Sequence, residues 1–290
     1  MKINLAIALG CALAVQLQAQ DYEIRMSWPV KVGQRFRQIT TAQESKEVTL
    51  TASGQIVRES RDSFNVRFES TLTIDEADAR GKSTRQTHKV VRLEKVKDGR
   101  AENLLPKGAV VSASVVGGKT AFQIDGQPTT GEAQRALGLV IALKAGEFND
   151  DDMFGTKERK KVGESWPIDT RQLTQEFFAR TKDYEVGDMS GTMTLKGLVK
   201  LDSRDSLHIT GKVTSDMVGR LPSGLKLEQG SMTWRLDGKF PLNATLPDAE
   251  QSQDMNISFS ARGVSQPGAP EVQMKAEFTK DVTVKVVPLP

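Results

Sequence analysis

The sequence predicts a mainly β protein, two lobes of long curved antiparallel strands, half-barrel or barrel-like, around a central buried helix. Three observations carry that expectation. Apolar and polar residues alternate with period two through most of the chain, the pattern of strands that bury one face. One stretch, Thr130 to Asp169, interrupts the alternation with a helical segment. Four of the apolar stripes carry a glycine at an inward position, Gly197, Gly211, Gly238 and Gly263, and such glycines mark bends or close approach by another backbone.

Taken in order, residues 1–19 read as a bacterial-type secretory signal peptide, with Lys2, an apolar run from Ile3 to Val15, and Ala19 at a cleavage point. The chain is expected to be exported, periplasmic or extracellular, with no transmembrane segment in its mature part. Cys11, following Ala8, Leu9 and Gly10, offers lipoprotein processing as the alternative, at the short limit for such signals. Cys11 is the only cysteine, so cleavage near Ala19 leaves no disulfide, thiol nucleophile or cysteine metal site. The formal net charge is +3, with both signs interspersed, which argues against nucleic acid and against a strongly anionic surface as partners. The cluster Lys157, Arg159, Lys160, Lys161 has no interleaved aromatics and reads as a solvated loop.

The N-terminal β lobe, 20–129, opens with an expected strand from Tyr22 to Val30, followed by Arg35 to Ile39 and by Ser45 to Glu59 with a bulge or break at Gly54. Ser63 to Ile74 is the clearest strand, with Phe64, Val66, Phe68, Leu72 and Ile74 on one face. At ~3.3 Å per residue it is nearly 40 Å long, which requires a large or curved sheet. Arg85 to Lys97 ends at the turn Asp98-Gly99, and Ala109 to Val116 with Thr120 to Asp125 complete the lobe.

The middle segment, 130–161, begins with Thr129 or Thr130 as N-cap and Glu132 in the first turn. Ala133, Ala136, Leu137, Leu139, Val140, Ile141 and Leu143 are apolar most of the way round, so the helix is expected to be buried and to stop at Gly146. Gly138 within it implies close approach by another backbone. Asn149, Asp150, Asp151 and Asp152 follow, either as oxygen ligands for calcium or as an Asx-rich turn in which Asp152 caps a short turn ahead of Gly155; the missing alternate spacing favours the turn.

The C-terminal β lobe, 162–290, starts with Val162-Gly163-Glu164-Ser165-Trp166, an echo of Val32-Gly33-Gln34-Arg35-Phe36 at the start of the first lobe. The echo suggests two related lobes. A short amphipathic helix is expected over Arg171 to Arg180, with Leu173, Phe177 and Phe178 inward. Regular stripes follow: Met193, Leu195, Gly197, Val199, Leu201; Leu207, Ile209, Gly211, Val213, Met217; Met232, Trp234, Leu236, Gly238, Phe240; Met255, Ile257, Phe259, Ala261, Gly263; and Val272, Met274, Ala276, Phe278, continued by Val282, Val284 and Val286.

Motifs that suggest chemistry fit structural roles better. Ala113 to Thr120 matches a relaxed phosphate-loop pattern, yet it is followed by an alternating strand instead of a helix and reads as a hairpin turn. His88 and His208 stand far apart without a second histidine at metal-ligand spacing. Carboxylate pairs such as Asp75 with Glu76 and Asp202 with Asp205 lie at strand ends, and no catalytic or metal residues and no cofactor are assigned.

The Val-Gly-x-x-aromatic starts, the Asp151-Asp152-Met153-Phe154-Gly155 turn and Val162 to Trp166 together resemble a secreted bacterial β-rich family of the domain-of-unknown-function kind, over residues 149 to 167. In outline the layout is similar to lipoprotein-carrier-type periplasmic lipid chaperones, a likeness of fold that does not transfer function. The leading expectation is a non-catalytic binding protein holding a lipid or other apolar molecule on a concave face formed by Met193, Leu195, Gly197, Ile209, Gly211, Met232, Trp234, Gly238, Phe259 and Met274. The alternatives are an envelope module that binds a protein partner and, third, a hydrolase.

Overall fold

Alternation makes strands, and turn residues decide where they reverse. Two-residue turns at Ser53-Gly54, Asp98-Gly99, Gly117-Gly118, Asp125-Gly126 and Asp202-Ser203 have positive φ at both positions, the left-handed pair that matches the twist of flanking strands. The Gly54 site is therefore a full reversal instead of a bulge, and the phosphate-loop look-alike is the tip of a hairpin pairing Val116 with Lys119. The computed structural model describes residues 20–143, 148–178, 185–218, 225–243, 249–264 and 270–289. The expected signal peptide, the Gly146 helix stop and the side chains of Phe177, Phe178 and Met217 lie outside what is described.

The first half contributes β1 (Arg35–Ala52), β2 (Gln55–Ala77), β3 (Ser83–Lys97), β4 (Arg100–Asn103), β5 (Val110–Val116), β6 (Lys119–Ile124) and β7 (Gln127–Pro128). Helices α1 (Gly131–Val140) and α2 (Asp150–Phe154) lead to β8 (Ser165–Pro167) and α3 (Thr170–Phe178). Then come β9 (Glu185–Leu201), β10 (Arg204–Val218), β11 (Lys226–Pro241), β12 (Ala249–Val264) and β13 (Glu271–Pro288). All 13 strands form one open antiparallel sheet in the order β7-β6-β5-β3-β2-β1-β13-β12-β11-β10-β9-β8, with β4 beside β3. The chain starts mid-sheet at β1, meanders out to β7, restarts at the opposite edge with β8 and returns until β13 pairs with β1 from Phe36–Pro288 to Ala52–Val272. The mainly β class holds, with the two halves joined edge to edge in a single sheet. Its outer strands are very short and contain Pro128 and Pro167, which blunts edge-to-edge association.

The echo between the halves is structural. Gly33 N–H donates to Ile74 O at 2.8 Å and Gly163 N–H to Leu195 O at 2.7 Å, while Gln34 O and Glu164 O accept from the same partners' N–H groups at 3.0 Å. The Gln34 and Glu164 side chains each accept a 2.8 Å bond from the backbone three residues earlier, at Lys31 and Lys161. Both turns need a glycine, with φ +86 and +89. Phe36 and Trp166, which follow, are both buried.

Strand register places the inward stripes of most long strands on one face, for example Val66–Ala42 and Ala42–Val282; in β9 a shift sets Gly197 opposite the outward His208, so it does not share the inward face of Met193 and Leu195. That face carries two main cores. Over the first half, Ala136, Leu137 and Val140 of α1 pack against Phe64, Val66, Phe68, Val90 and Leu93. The helix ends early, with Ile141 extended and its N–H bonded to Leu137 O, and Thr130 is the N-cap without a side-chain cap bond. Gly138 faces open space, with nothing within 4 Å of where a Cβ would lie; the expected close backbone approach does not occur, because only the opposite side of α1 is buried.

The second half has its own cover, so α1 fills only the first. Tyr22, Ile24, Met26, Met153, Phe154, Trp166, Ile168 and Leu173 lie over Met193, Leu195, Leu207, Ile209, Val213, Leu236 and Phe240. Alternation in the opening segment is real, but Tyr22 makes only an isolated bridge to Lys160 instead of starting a strand. Further along the segment Asp151 holds Met26 and Ser27, its Oδ1 accepting from Met26 N at 2.6 Å and its Oδ2 from Ser27 Oγ at 2.6 Å. The capping reading of the acidic run holds with Asn149, not Asp152, as N-cap; Asp152 closes the box, both bonds being 2.8 Å. Among the described residues no helix is long and apolar enough to cross a membrane.

Candidate functional site

The second core absorbs most of the residues expected to face a ligand. Met193, Leu195 and Ile209 are fully buried and Met232 nearly so. A Cβ at Gly211 would collide with the Met193 thioether, and one at Gly238 with the Phe240 ring. These two inward glycines therefore make room for side chains. Gly197 has open space around it, and Trp234 is half-buried, stacked on Phe154 with centroids 5.0 Å apart. Phe259 and Met274 are not brought to this group.

They belong instead to a strip where the apolar face runs on past the cores. Val48 pairs with Ala276 and Leu50 with Met274 across β1 and β13. Ala276 pairs with Phe259, Phe278 with Ile257 and Met274 with Ala261 across β13 and β12. Phe259 and Phe278 stack with centroids 5.9 Å apart and planes 20° apart. Buried Leu225, Leu227 and Ala261 close the outer flank, while Val48, Leu50, Ile257, Phe259, Met274 and Phe278 remain half-buried. The strip is thus a partly exposed apolar surface.

One end of the strip is cationic. Lys46 Nζ stands 5.2 Å from the centroid of the Phe278 ring, and Lys280 is half-buried on the same face, in register between Glu44 and Met255. Burial lowers the Lys280 pKa, opposed by the charge of Glu44. Glu44, however, is held by Arg135 at 2.6 Å, and Arg135 also binds Asp62 at 2.7 Å. Among the described residues, neither Lys46 nor Lys280 makes an ion pair. The sequence held a signal for this: Lys280 sits at an inward position between Phe278 and Val282, where alternation calls for an apolar residue.

The opposite face is polar and largely self-satisfied, through Arg37–Glu69 at 2.7 Å, Arg235–Asp254 at 3.0 Å, Asn256–Glu277 at 2.8 Å and Ser231–Ser258 at 3.1 Å. It carries open clefts of about 360 and 420 Å³, the first lined by Asn65, Arg67 and Asp281 and the second by Glu47, Ser258 and Lys275. Burial and the facing Asp254 raise the Asp281 pKa. His208 lies 3.1 Å from Asp237 on this face.

A serine–histidine pair is present but sealed. Ser70 Oγ lies 3.1 Å from His88 Nδ1 and Gln86 Oε1 3.2 Å from Nε2, and both Ser70 and His88 are fully buried. Burial holds the His88 pKa down to about 3, so the ring is neutral and accepts the Ser70 proton in a hydrogen bond, with Nε2–H donating to Gln86. With Gln38 and Thr40, joined at 3.0 Å, the pair satisfies polar groups inside the core. Among the described residues no three His, Cys, Asp or Glu side chains gather as metal ligands.

The fold is that of a mainly β protein, one open antiparallel sheet whose apolar face is only partly covered. No family model and no curated protein matches the chain. Among solved structures it is similar to the outer membrane protein OprG from Pseudomonas aeruginosa, at 8% identity over 89% of this chain and 97% of that one, with a TM-score of 0.22. It is likewise similar to OpdQ from Pseudomonas aeruginosa, at 8% identity over 88% of this chain and 98% of that one, with a TM-score of 0.21. Those scores are too low to carry function across.

Proposed function

We propose that the protein is an exported, non-catalytic binding protein of the cell envelope that holds a lipid or other apolar molecule on the strip formed by β1, β12 and β13. The observation that carries this reading is the half-buried run of Val48, Leu50, Ile257, Phe259, Met274 and Phe278, continuous across three hydrogen-bonded strands. Of the residues picked from sequence, Phe259 and Met274 are the ones that contact the ligand; Met193, Leu195, Ile209 and Met232 build the core beside it. The signal-like pattern of residues 1–19 supports export.

Native mass spectrometry of the mature chain, purified without detergent, tests the reading. A discrete lipid-sized adduct is expected, released by organic extraction and lost in a Phe259→Glu variant that keeps the wild-type melting temperature. An adduct-free monomer that also fails to bind the neutral dye Nile red overturns it, and an adduct-free dimer moves the strip to protein–protein contact.

A further inference from the structure

We infer that the ligand of the strip is a long-chain carboxylate amphiphile, its head held by Lys46 and Lys280 and its tail laid along Phe278, Phe259 and Met274. This rests on the strip being an apolar binding surface, and adds the class of molecule and its orientation.

The argument begins with the two lysines. Lys280 projects from the apolar face of β13 and is half-buried, a placement that strips water from an ammonium and calls for a counter-charge. Glu44, directly across in register, is engaged by the Arg135 guanidinium, which takes Asp62 as well. Lys46 stands over the Phe278 ring at 5.2 Å, with no carboxylate partner among the described residues. Arg135, Lys280 and Lys46 thus set three positive charges against the two negative ones of Glu44 and Asp62, and this end of the aromatic pair is one anion short. A carboxylate supplies it, because its oxygens accept charge-assisted bonds from ammonium groups. A neutral head group accepts only the weaker bond of an uncharged oxygen from either lysine.

Direction follows from register. Lys46 is level with Phe278, and from there the apolar residues of β1 and β13 run past Ala276 and Met274 to Val272, with Val48, Leu50 and Ala52 alongside, while Met255 of β12, level with Lys280, packs against the second core. Beyond Lys280 on the other side lies Val282, already packed into the first core. A tail therefore extends from the lysines toward Val272, a run of about 20 Å at ~3.3 Å per residue, suited to an extended long acyl chain.

The experiment titrates hexadecanoate and hexadecanol, below their aggregation limits, into the delipidated mature chain by calorimetry. It compares wild type with a Lys46→Gln, Lys280→Gln double variant and with Lys275→Gln, whose lysine lines a cleft on the polar face. Hexadecanoate is expected to bind about tenfold or more tightly than hexadecanol, and the double variant to lose that margin while binding hexadecanol as before. Lys275→Gln should behave as wild type. Equal affinity for acid and alcohol, or an undiminished margin in the double variant, overturns the carboxylate inference and leaves the apolar strip standing. Binding of neither compound to the wild-type chain overturns both.

Discussion

Asp151 holds Ser27 in a bidentate grip, its Oδ2 accepting from Ser27 Oγ at 2.6 Å and its Oδ1 from Ser27 N at 3.3 Å, with Met26 N on Oδ1 at 2.6 Å. The acidic turn after α1 thereby pins the opening segment over the second core. Asp151→Ala removes charge-assisted bonds and leaves part-buried N–H groups unmet, so it should cost about 2–3 kcal/mol. Urea unfolding reads the loss, and hydrogen exchange should quicken at Met26 and Ser27 before the sheet amides respond.

Gly138 and Gly238 should respond to alanine with opposite signs. At Gly138 a Cβ meets nothing, so Gly138→Ala should stabilise by about 1 kcal/mol through helix propensity. At Gly238 the Phe240 ring occupies the place of the Cβ, so Gly238→Ala should destabilise by about 1–3 kcal/mol through overpacking. Denaturant midpoints of both variants beside wild type decide the matter.

Ser203 has φ +72 in the Asp202-Ser203 turn, where the four comparable turns place Gly54, Gly99, Gly118 and Gly126. A left-handed conformation costs a non-glycine residue about 1–2 kcal/mol, so Ser203→Gly should raise stability by roughly 1 kcal/mol after its own entropy cost. A higher melting temperature is the expected readout.

His88 ties stability to acid. Its folded pKa is about 3 against 6.5 for the free side chain, so below pH 6.5 the unfolded chain binds a proton that the folded chain refuses. The contribution is complete above that value and is lost as pH falls toward 3, amounting to about 2 kcal/mol at pH 5. His88→Gln should flatten this part of the profile: the gap between wild type and variant, measured by urea unfolding, narrows from pH 7.5 to pH 5.

Much of this architecture was legible from residue order because it is local. Stripes such as Phe64 to Ile74 follow from a strict period of two, and the Asp98-Gly99 and Asp125-Gly126 reversals from turn chemistry. The Val-Gly echo suggested related lobes, and the structure repeats one turn at Gly33 and Gly163 with the same bonds. The lysine end of the strip was harder to see. Lys280 and Lys46 break the alternation visibly, but their common location depends on β1 lying beside β13.

By itself, the order of residues determined that the chain is mainly β, that one face of its strands is apolar, and where most of them turn, since backbone sterics and side-chain periodicity act over a few positions. Tertiary structure alone decided that two halves share one sheet, that the opening segment and α1 cover different parts of it, and that Phe259 and Met274 stay half-buried while Met193 and Ile209 do not. An antiparallel strand presents the same alternation whichever neighbour it has; pairing distant strands is settled by competition for the whole apolar face, and only the finished packing shows which part of that face is left over.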